Sequence, residues 1–401
     1  MKTIKKIFIK IINLTAQIYK KVCFYIHRKL PLRKNIVFEC ESDMDDNPRA
    51  VYEYLIEQGY NKRHKLIWIV RNVELCKQKH AKKNVDFVSR FDYSFKNIIK
   101  LDYYLNTSNW FIFSHPSWFI KKRKTQVVVH INHGSGLKGI DQKGIFNSEV
   151  IDYLLVPSVF MTDKMMKFWN CPKEKIIYIG FPRMDLLFKG DKRELFNTIY
   201  DYNNNDKVVI CMPTYKQSTR VEDSTIIDKY SLDFVKNEEE LLYLNRQLKD
   251  KGVHLIIKVH PLQKMDSLYI NSLSNVHYLT NKELFDYNII LYELIGKCDA
   301  LITDLSSVYT DFLVLNRPVA FLMESISNYS RGFMEDPDAY MPGDKIYQME
   351  DFIDFLDNLI NGKDDYINER KRVFDYFHHN NKDNNCKAFC DWLFRNTGSK
   401  L

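Results

Sequence analysis

What this sequence lacks narrows its class before any motif is read. No stretch of about 18 consecutive apolar residues is present, so no segment is expected to span a bilayer as a helix. Charges recur through the N-terminus, no clean apolar core follows them, and no small-residue cleavage site appears, which excludes a secretory signal. The eight cysteines (Cys23, Cys40, Cys76, Cys171, Cys211, Cys298, Cys386 and Cys390) include no Cys-x-x-Cys and no Cys/His set at zinc-finger spacing. Reduced thiols of a cytosolic protein are the plain reading, with Cys386 and Cys390 on one face of a helix. No internal repeat or low-complexity segment interrupts the chain. A hydrophobic content of 45% with 14% aromatics excludes a disordered or fibrous class.

Acidic residues are also missing from one place: the first is Glu39. Before it stand ten basic residues, Lys2, Lys5, Lys6, Lys10, Lys20, Lys21, Arg28, Lys29, Arg33 and Lys34. Of 59 basic residues these ten leave 49, against 51 acids, for the remaining chain, so the formal +8 becomes −2. A near-neutral body with a basic tail argues against a nucleic-acid binder, which would spread its charge over the body. On a helical wheel Ile4, Ile7, Phe8, Ile11, Leu14, Ile18, Val22, Tyr25 and Ile26 fall within an arc of roughly 120°, and the early lysines fall outside it. Ile9, Ile12 and Phe24 break the pattern. Such a basic amphipathic helix, placed in residues 1–34, suits an anionic membrane surface. The alternative is a helix docked on its own domain with a solvated basic face.

At 401 residues two domains are expected. Short β-rich runs alternate with helical patterns, the mark of parallel α/β layers. Expected strands are Ile36–Cys40, Lys65–Val70, Val85–Val88, Trp110–Ser114, Gln126–Ile131 and Tyr153–Val156, then Lys175–Gly180, Val208–Met212, His254–Val259, Val276–Leu279, Ala300–Thr303 and Val319–Leu322. Helices are expected over Pro48–Gln58, Glu238–Lys251 and Tyr309–Leu315. The boundary is placed near Asn170–Glu174, giving Rossmann-like domains over 35–172 and 173–401. The helical stretch from about Asp364 could pack back across it. Two such sheets facing one another put their strand C-termini around a shared cleft, where nucleotides sit.

Five motifs stand at those strand ends. The first runs His130-Ile131-Asn132-His133-Gly134-Ser135-Gly136-Leu137-Lys138-Gly139, after Val127–Val129. Its glycines allow close backbone approach, and a histidine there could act as general base. It is neither a Rossmann fingerprint nor a P-loop. His130 is read as structural. Gly180-Phe181-Pro182-Arg183-Met184-Asp185 follows, with Arg183 and Asp185 able to pair. Pro213-Thr214-Tyr215-Lys216 and Lys258-Val259-His260-Pro261 add Lys216, Lys258 and His260 to a cleft that would hold a diphosphate. Asp304-Leu305-Ser306-Ser307-Val308-Tyr309-Thr310-Asp311 places Ser306 or Ser307 as the cap of a helix whose N-terminus suits a phosphate. Each motif alone has an ordinary reading: a turn with a bonded histidine, a salt-bridged loop, charged strand ends, a capped helix.

Taken in order, the five closely resemble the CDP-glycerol glycerophosphotransferase family, the teichoic acid primases and polymerases. Asn316-Arg317-Pro318-Val319, Arg331-Gly332-Phe333 and Pro342-Gly343 agree further, so the resemblance spans roughly Gln126 to Gly343. It implies a GT-B fold and transfer of an alditol phosphate from CDP-glycerol or CDP-ribitol to a hydroxyl. The acceptor would be a prenyl-diphosphate-linked saccharide or a growing wall or capsular polymer, at the cytoplasmic face of the bacterial membrane. By the same resemblance His133 falls on the catalytic base and His260 on the histidine that stabilises the donor diphosphate. Ser306 and Ser307 fall on the phosphate-holding helix start, and Asp311 on a position expected to contact donor hydroxyls. Arg183, Asp185, Thr214, Lys216 and Lys258 fall on the donor side, and Gly134, Ser135 and Lys138 on the acceptor side.

Asn132, Ser135, Gly136 and Leu305 depart from the family pattern, next to acceptor or donor rather than at the histidines. No cofactor is expected, and no clustered carboxylates and histidines call for a metal. Displacement at a diphosphate needs a base for the nucleophile and compensation for the charge on the leaving CMP. Size favours the short primases over the long polymerases. Two other readings are a GT-B glycosyltransferase using a nucleotide sugar and a catalytically silent membrane scaffold.

Overall fold

The computed structural model describes residues 21–115, 122–134, 136–138, 150–214, 230, 232–259, 273–327 and 332–397. Among the described residues thirteen strands form two wholly parallel sheets. The first has the order β3-β2-β1-β4-β5-β6-β7, from β1 Arg33–Glu39, β2 Lys65–Ile69, β3 Val85–Val88, β4 Ser108–Phe113, β5 Val127–His130, β6 Tyr153–Val156 and β7 Ile176–Tyr178. The second has the order β10-β9-β8-β11-β12-β13, from β8 Lys207–Met212, β9 Val253–Lys258, β10 Val276–Leu279, β11 Ala300–Thr303, β12 Val319–Leu322 and β13 Asp344–Ile346. In each sheet the order reverses between the first and fourth strands, which opens a crevice at their C-terminal ends.

The strands form where expected because parallel strands covered on both faces read as unbroken apolar runs. Every residue of β4, β5, β9, β11 and β12 is buried. Alternation decides which core each side chain joins. Val208 and Ile210 of β8 enter a large core that also holds the first sheet, whereas Val209 and Cys211 enter a separate core on the far face. The two lobes therefore share one continuous apolar cluster.

The boundary expected near Asn170–Glu174 proves to be a turn inside the first lobe. Asn170 ends the Thr162–Trp169 helix in the left-handed conformation, and Ile176–Tyr178 then pairs with β6, not with the second sheet. The chain leaves the first lobe through the 3-10 segment Pro182–Phe188. There the helix Leu291–Lys297 lies so close that a Cβ on Gly296 would stand 1.9 Å from the Leu187 carbonyl oxygen. The C-terminal helix Asn385–Thr397 returns to the first lobe. Trp110 of β4 donates its indole N–H to Thr397 Oγ1 at 2.7 Å, and Phe394 packs edge-on to Trp110 and stacks on Tyr60. Cys386 and Cys390 are both buried on that helix, and all eight cysteines are unbridged.

Most of the basic tail lies outside the described residues. Its end, a helix over residues 21–27, docks through Cys23 and His27, whose Nδ1 is 2.7 Å from Asp102 Oδ2. Val22, Tyr25 and Ile26, three members of the apolar arc, are exposed. Among the described residues no helix is long and apolar enough to cross a membrane.

Candidate active site

The motif residues meet where the two crevices face one another. After β1 the chain turns into the helix Asp46–Glu57; after β4 come Ser114 and His115; after β5 come His133, Gly134 and Gly136 to Lys138. Across the cleft stand Thr214 after β8, Lys258 at the end of β9, and Asp304 to Ser307 after β11.

His133 projects into the cleft with its side chain 63% exposed, while Asp46 behind it is only 7% exposed. The imidazole Nδ1 stands 2.9 Å from Asp46 Oδ2. Desolvation alone would lower the imidazole pKa, but the Asp46 carboxylate outweighs it and holds His133 above its ordinary value. With Nδ1–H committed to Asp46, Nε2 is the nitrogen with a lone pair, which is the geometry of a carboxylate-oriented base. His130, by contrast, is fully buried between Trp169 and Phe113, and burial drives its pKa down to about 3. It accepts the Asn132 N–H through Nδ1 and stays neutral, as its reading as structural requires.

Arg183 ties this base to the second lobe. Its Nη1 donates to Asp46 Oδ1 at 2.6 Å and also to the His133 carbonyl. Its Nε donates to Asp311 Oδ2 at 2.9 Å, and Tyr292 donates its hydroxyl to the same oxygen at 2.6 Å. His378 Nε2 stands 3.1 Å from Asp311 Oδ1. Burial would raise both carboxyls, yet the guanidinium holds Asp46 and Asp311 below the usual carboxylate range. Asn47 completes the frame: its Oδ1 accepts the Arg183 N–H and its Nδ2 donates to the Asn132 carbonyl. Asp46 itself sits at φ +60°, a conformation costing about 1–2 kcal/mol for a residue with a side chain. The frame of buried bonds is what holds it there.

On the opposite wall Asp304 accepts the N–H and hydroxyl of Thr214 through Oδ2 and the Ser306 N–H through Oδ1. That joins β8 to β11 across their crevice. Burial raises the Asp304 carboxyl above its ordinary value, opposed in part by the Thr214 hydrogen bond and the Lys138 charge. The loop after β5 crosses Ser307: a Cβ on Gly134 would stand 2.5 Å from Ser307 Oγ, so only glycine fits. Lys138 forms a β-bridge with Phe333, and the Met334 N–H donates to the Leu137 carbonyl at 2.8 Å. Lys258 is buried; its ammonium donates to Asn281 Oδ1 and the Val259 carbonyl, and burial lowers its pKa to about 8.

Several expected roles change. Arg183 and Asp185 do not pair. Asp185 accepts the N–H groups of Asn385 and Cys386 and so caps the C-terminal helix, because alternate side chains on the 3-10 segment diverge. Arg183 is engaged by Asp46, the His133 carbonyl and Asp311, and so frames the base. Asp311 is buried, with Oδ2 bonded to Arg183 and Tyr292 and Oδ1 facing His378 Nε2 at 3.1 Å, so its described contacts are to protein groups. Neither Ser306 nor Ser307 caps the Val308–Phe312 helix by its side chain; the Ser307 hydroxyl lies under the glycine loop. Lys216, His260 and Ser135 lie outside the described residues.

Sequence reasoning missed Asp46, Asn47, Tyr292, His378 and His115. A signal existed for the first two: Asp45-Asp46-Asn47-Pro48 is a polar, helix-opening cluster soon after an expected strand. His115, also at a strand end, packs its ring 4.6 Å from that of His133.

A family model described as CDP-Glycerol:Poly(glycerophosphate) glycerophosphotransferase matches residues 22–394. A teichoic acid poly(glycerol phosphate) polymerase of Bacillus spizizenii is 28% identical over 390 residues, covering 90% of this chain and 92% of the relative. A teichoic acid glycerol-phosphate transferase of Staphylococcus aureus is 28% identical over 382 residues, covering 88% and 91%. The wall teichoic acid polymerase TagF, in a structure soaked with CDPG, superposes with a TM-score of 0.76 at 21% identity, over all of this chain and 97% of that one. That likeness shows a shared GT-B-like fold. The B. spizizenii relative bears the name polymerase at nearly matching length, so size does not favour a primase. The family match takes in both sheets and the whole described cleft, from Asp46 to His378, and the chain belongs to the CDP-glycerol:poly(glycerophosphate) glycerophosphotransferase family.

Proposed function

We propose that this cleft moves glycerol phosphate from CDP-glycerol to a hydroxyl of a membrane-linked saccharide or polymer in teichoic-acid-type synthesis, with His133 as base. The observation that carries the assignment of the base is the His133–Asp46 pair at 2.9 Å, which engages Nδ1 and leaves Nε2 on a side chain that is largely exposed. Nε2 takes the acceptor hydroxyl proton as that oxygen bonds to the phosphorus bearing the glycerol. The bond from that phosphorus to the CMP oxygen breaks, and CMP leaves with the electron pair. Developing negative charge meets Lys258 and, by sequence position, His260. The test is labelled CDP-glycerol and CDP-ribitol, offered beside UDP- and GDP-sugars with a lipid-linked disaccharide. Labelled product with CMP release from CDP-glycerol is expected; turnover of nucleotide sugars alone would sink the reading.

The acceptor's lipid gives the basic tail its purpose. Val22, Tyr25 and Ile26 are 48%, 67% and 56% exposed, so the apolar arc does not close onto the protein at its described end. This favours a peripheral site on an anionic leaflet over a self-docked helix. Removal of residues 1–20 keeps the docked turn around His27 and should abolish co-sedimentation with anionic liposomes. Unchanged sedimentation would reject the tail as the membrane contact.

A further inference from the structure

The structure brings together a set of ligands that lie far apart in sequence. One donor atom from each of Asp46, His115 and His133 lies within 4.8 Å of the others. We propose that these three residues bind one borderline divalent cation of the Zn2+ type, which competes with the proton on His133 Nδ1 and thereby switches the base off.

The geometry needs little adjustment. Two ligands of a tetrahedral zinc, each about 2.0–2.1 Å from the metal, stand about 3.3 Å apart. Asp46 Oδ2 and His133 Nδ1 are already 2.9 Å apart. The remaining ligand is carried by a ring whose centroid is 4.6 Å from that of His133, at the end of the neighbouring strand. Outer partners are in place on Asp46 and His115. Arg183 holds Asp46 Oδ1 at 2.6 Å. His115 Nδ1 and Nε2 stand 3.2 Å from Ser114 Oγ and 2.9 Å from Glu41 Oε2, so binding through one nitrogen exchanges that partner for the metal and keeps the other. The His133 backbone is fixed beside them by its N–H to Asn132 Oδ1 at 2.8 Å. Asp311 offsets the nearby guanidinium, so Asp46 and Glu41 leave the site a net attraction for a cation.

Ligand chemistry selects the metal. Two imidazoles and one carboxylate suit Zn2+, Co2+ or Ni2+, whereas Mg2+ and Ca2+ call for all-oxygen shells. The site is therefore not a holder for a magnesium diphosphate. Its consequence follows from the tautomer. A metal on Nδ1 leaves the neutral ring one proton, which must then sit on Nε2. That nitrogen can no longer accept the acceptor's proton, so the loaded enzyme is inactive. This consequence rests on His133 being the base; the binding does not.

The experiment uses the full chain after chelator treatment, titrated with Co2+ and followed by its visible ligand-field absorption. One equivalent should bind with the intense band of a four- or five-coordinate ion and be displaced by Zn2+. The band should vanish in His115→Ala and His133→Asn and persist in His379→Ala, an exposed histidine outside the cluster. His115→Asn, closer in shape, guards against a folding defect, with melting curves recorded for all. In the transfer assay, half-inhibition by Zn2+ should need at least about tenfold more metal in His115→Ala than in the parent. A Co2+ band unchanged in both histidine variants, or the absence of any stoichiometric band, would overturn the site. A normal band without inhibition by Zn2+ would instead overturn the tautomer argument and, with it, His133 as base.

Discussion

Arg183→Ala should lower the free energy of unfolding by about 3–5 kcal/mol, the loss typical when one member of a buried ion cluster is removed. The side chain is 3% exposed and faces carboxylates from both lobes, Asp46 at 7% and Asp311 at 1%. Tyr292 and Phe181 also pack against the guanidinium plane, at 4.8 and 5.3 Å. Without it two buried negative charges face each other across one cavity, and neither can reach bulk water. The pH dependence carries the sign. Folded Asp46 and Asp311 have depressed pKa values, so their contribution is present above the unfolded carboxyl value, about 4, and is lost as pH falls below it. In the variant both carboxyls rise, and this acid-side slope weakens. Equilibrium urea unfolding between neutral and acid pH measures both effects. A loss under about 1 kcal/mol with an unaltered slope would show that the cluster contributes little to holding the lobes together. Replacing Asp311 by Asn together with Arg183→Met should recover part of the loss, since fewer charges are then left unpaired.

The strands were legible for one physical reason: burial on both faces of a parallel sheet leaves no polar positions to blur the run. Where that reason fails, the reading fails. Asp344–Ile346 is a three-residue edge strand beginning Asp-Lys, with no run to detect. Ile176–Tyr178 reads as a strand from its apolar run yet pairs in the first sheet, not the second, since strand pairing is a long-range property and Cys171-Pro172 resembles a linker. The site divides in the same way. His133 could be found because its glycine loop is local, and the loop is glycine-rich for the reason the structure gives, its passage over Ser307. Asp46 could not be ranked above other acids, because its partners His133 and Arg183 lie 87 and 137 positions away. Arg183 and Asp185 misled by adjacency. On their 3-10 turn one points into the cleft frame and the other to the N-terminus of the last helix.

His133→Ala should reduce kcat/KM by about 10²–10⁴, the range for removing a positioned general base, with little change in melting because its ring is 63% exposed. If polymer or transfer survives at the parent's level, the chain acts as a scaffold rather than through this base. Asp46→Asn gives a finer discrimination. The parent base must be neutral to work, and its pKa is raised above about 6.5, so the acid limb of the kcat/KM profile should lie above that value. Asn removes the charge that raises it, while desolvation and Arg183 continue to lower it. The limb therefore moves to lower pH. At the same time the plateau falls, because an amide no longer fixes the Nδ1–H tautomer as a carboxylate does. The two profiles then separate most at alkaline pH and converge on the acid side, which general unfolding would not produce. A limb that stays in place, or moves upward, would mean that Asp46 does not set the protonation of His133, and the pair would be reduced to a hydrogen bond within the interlobe frame.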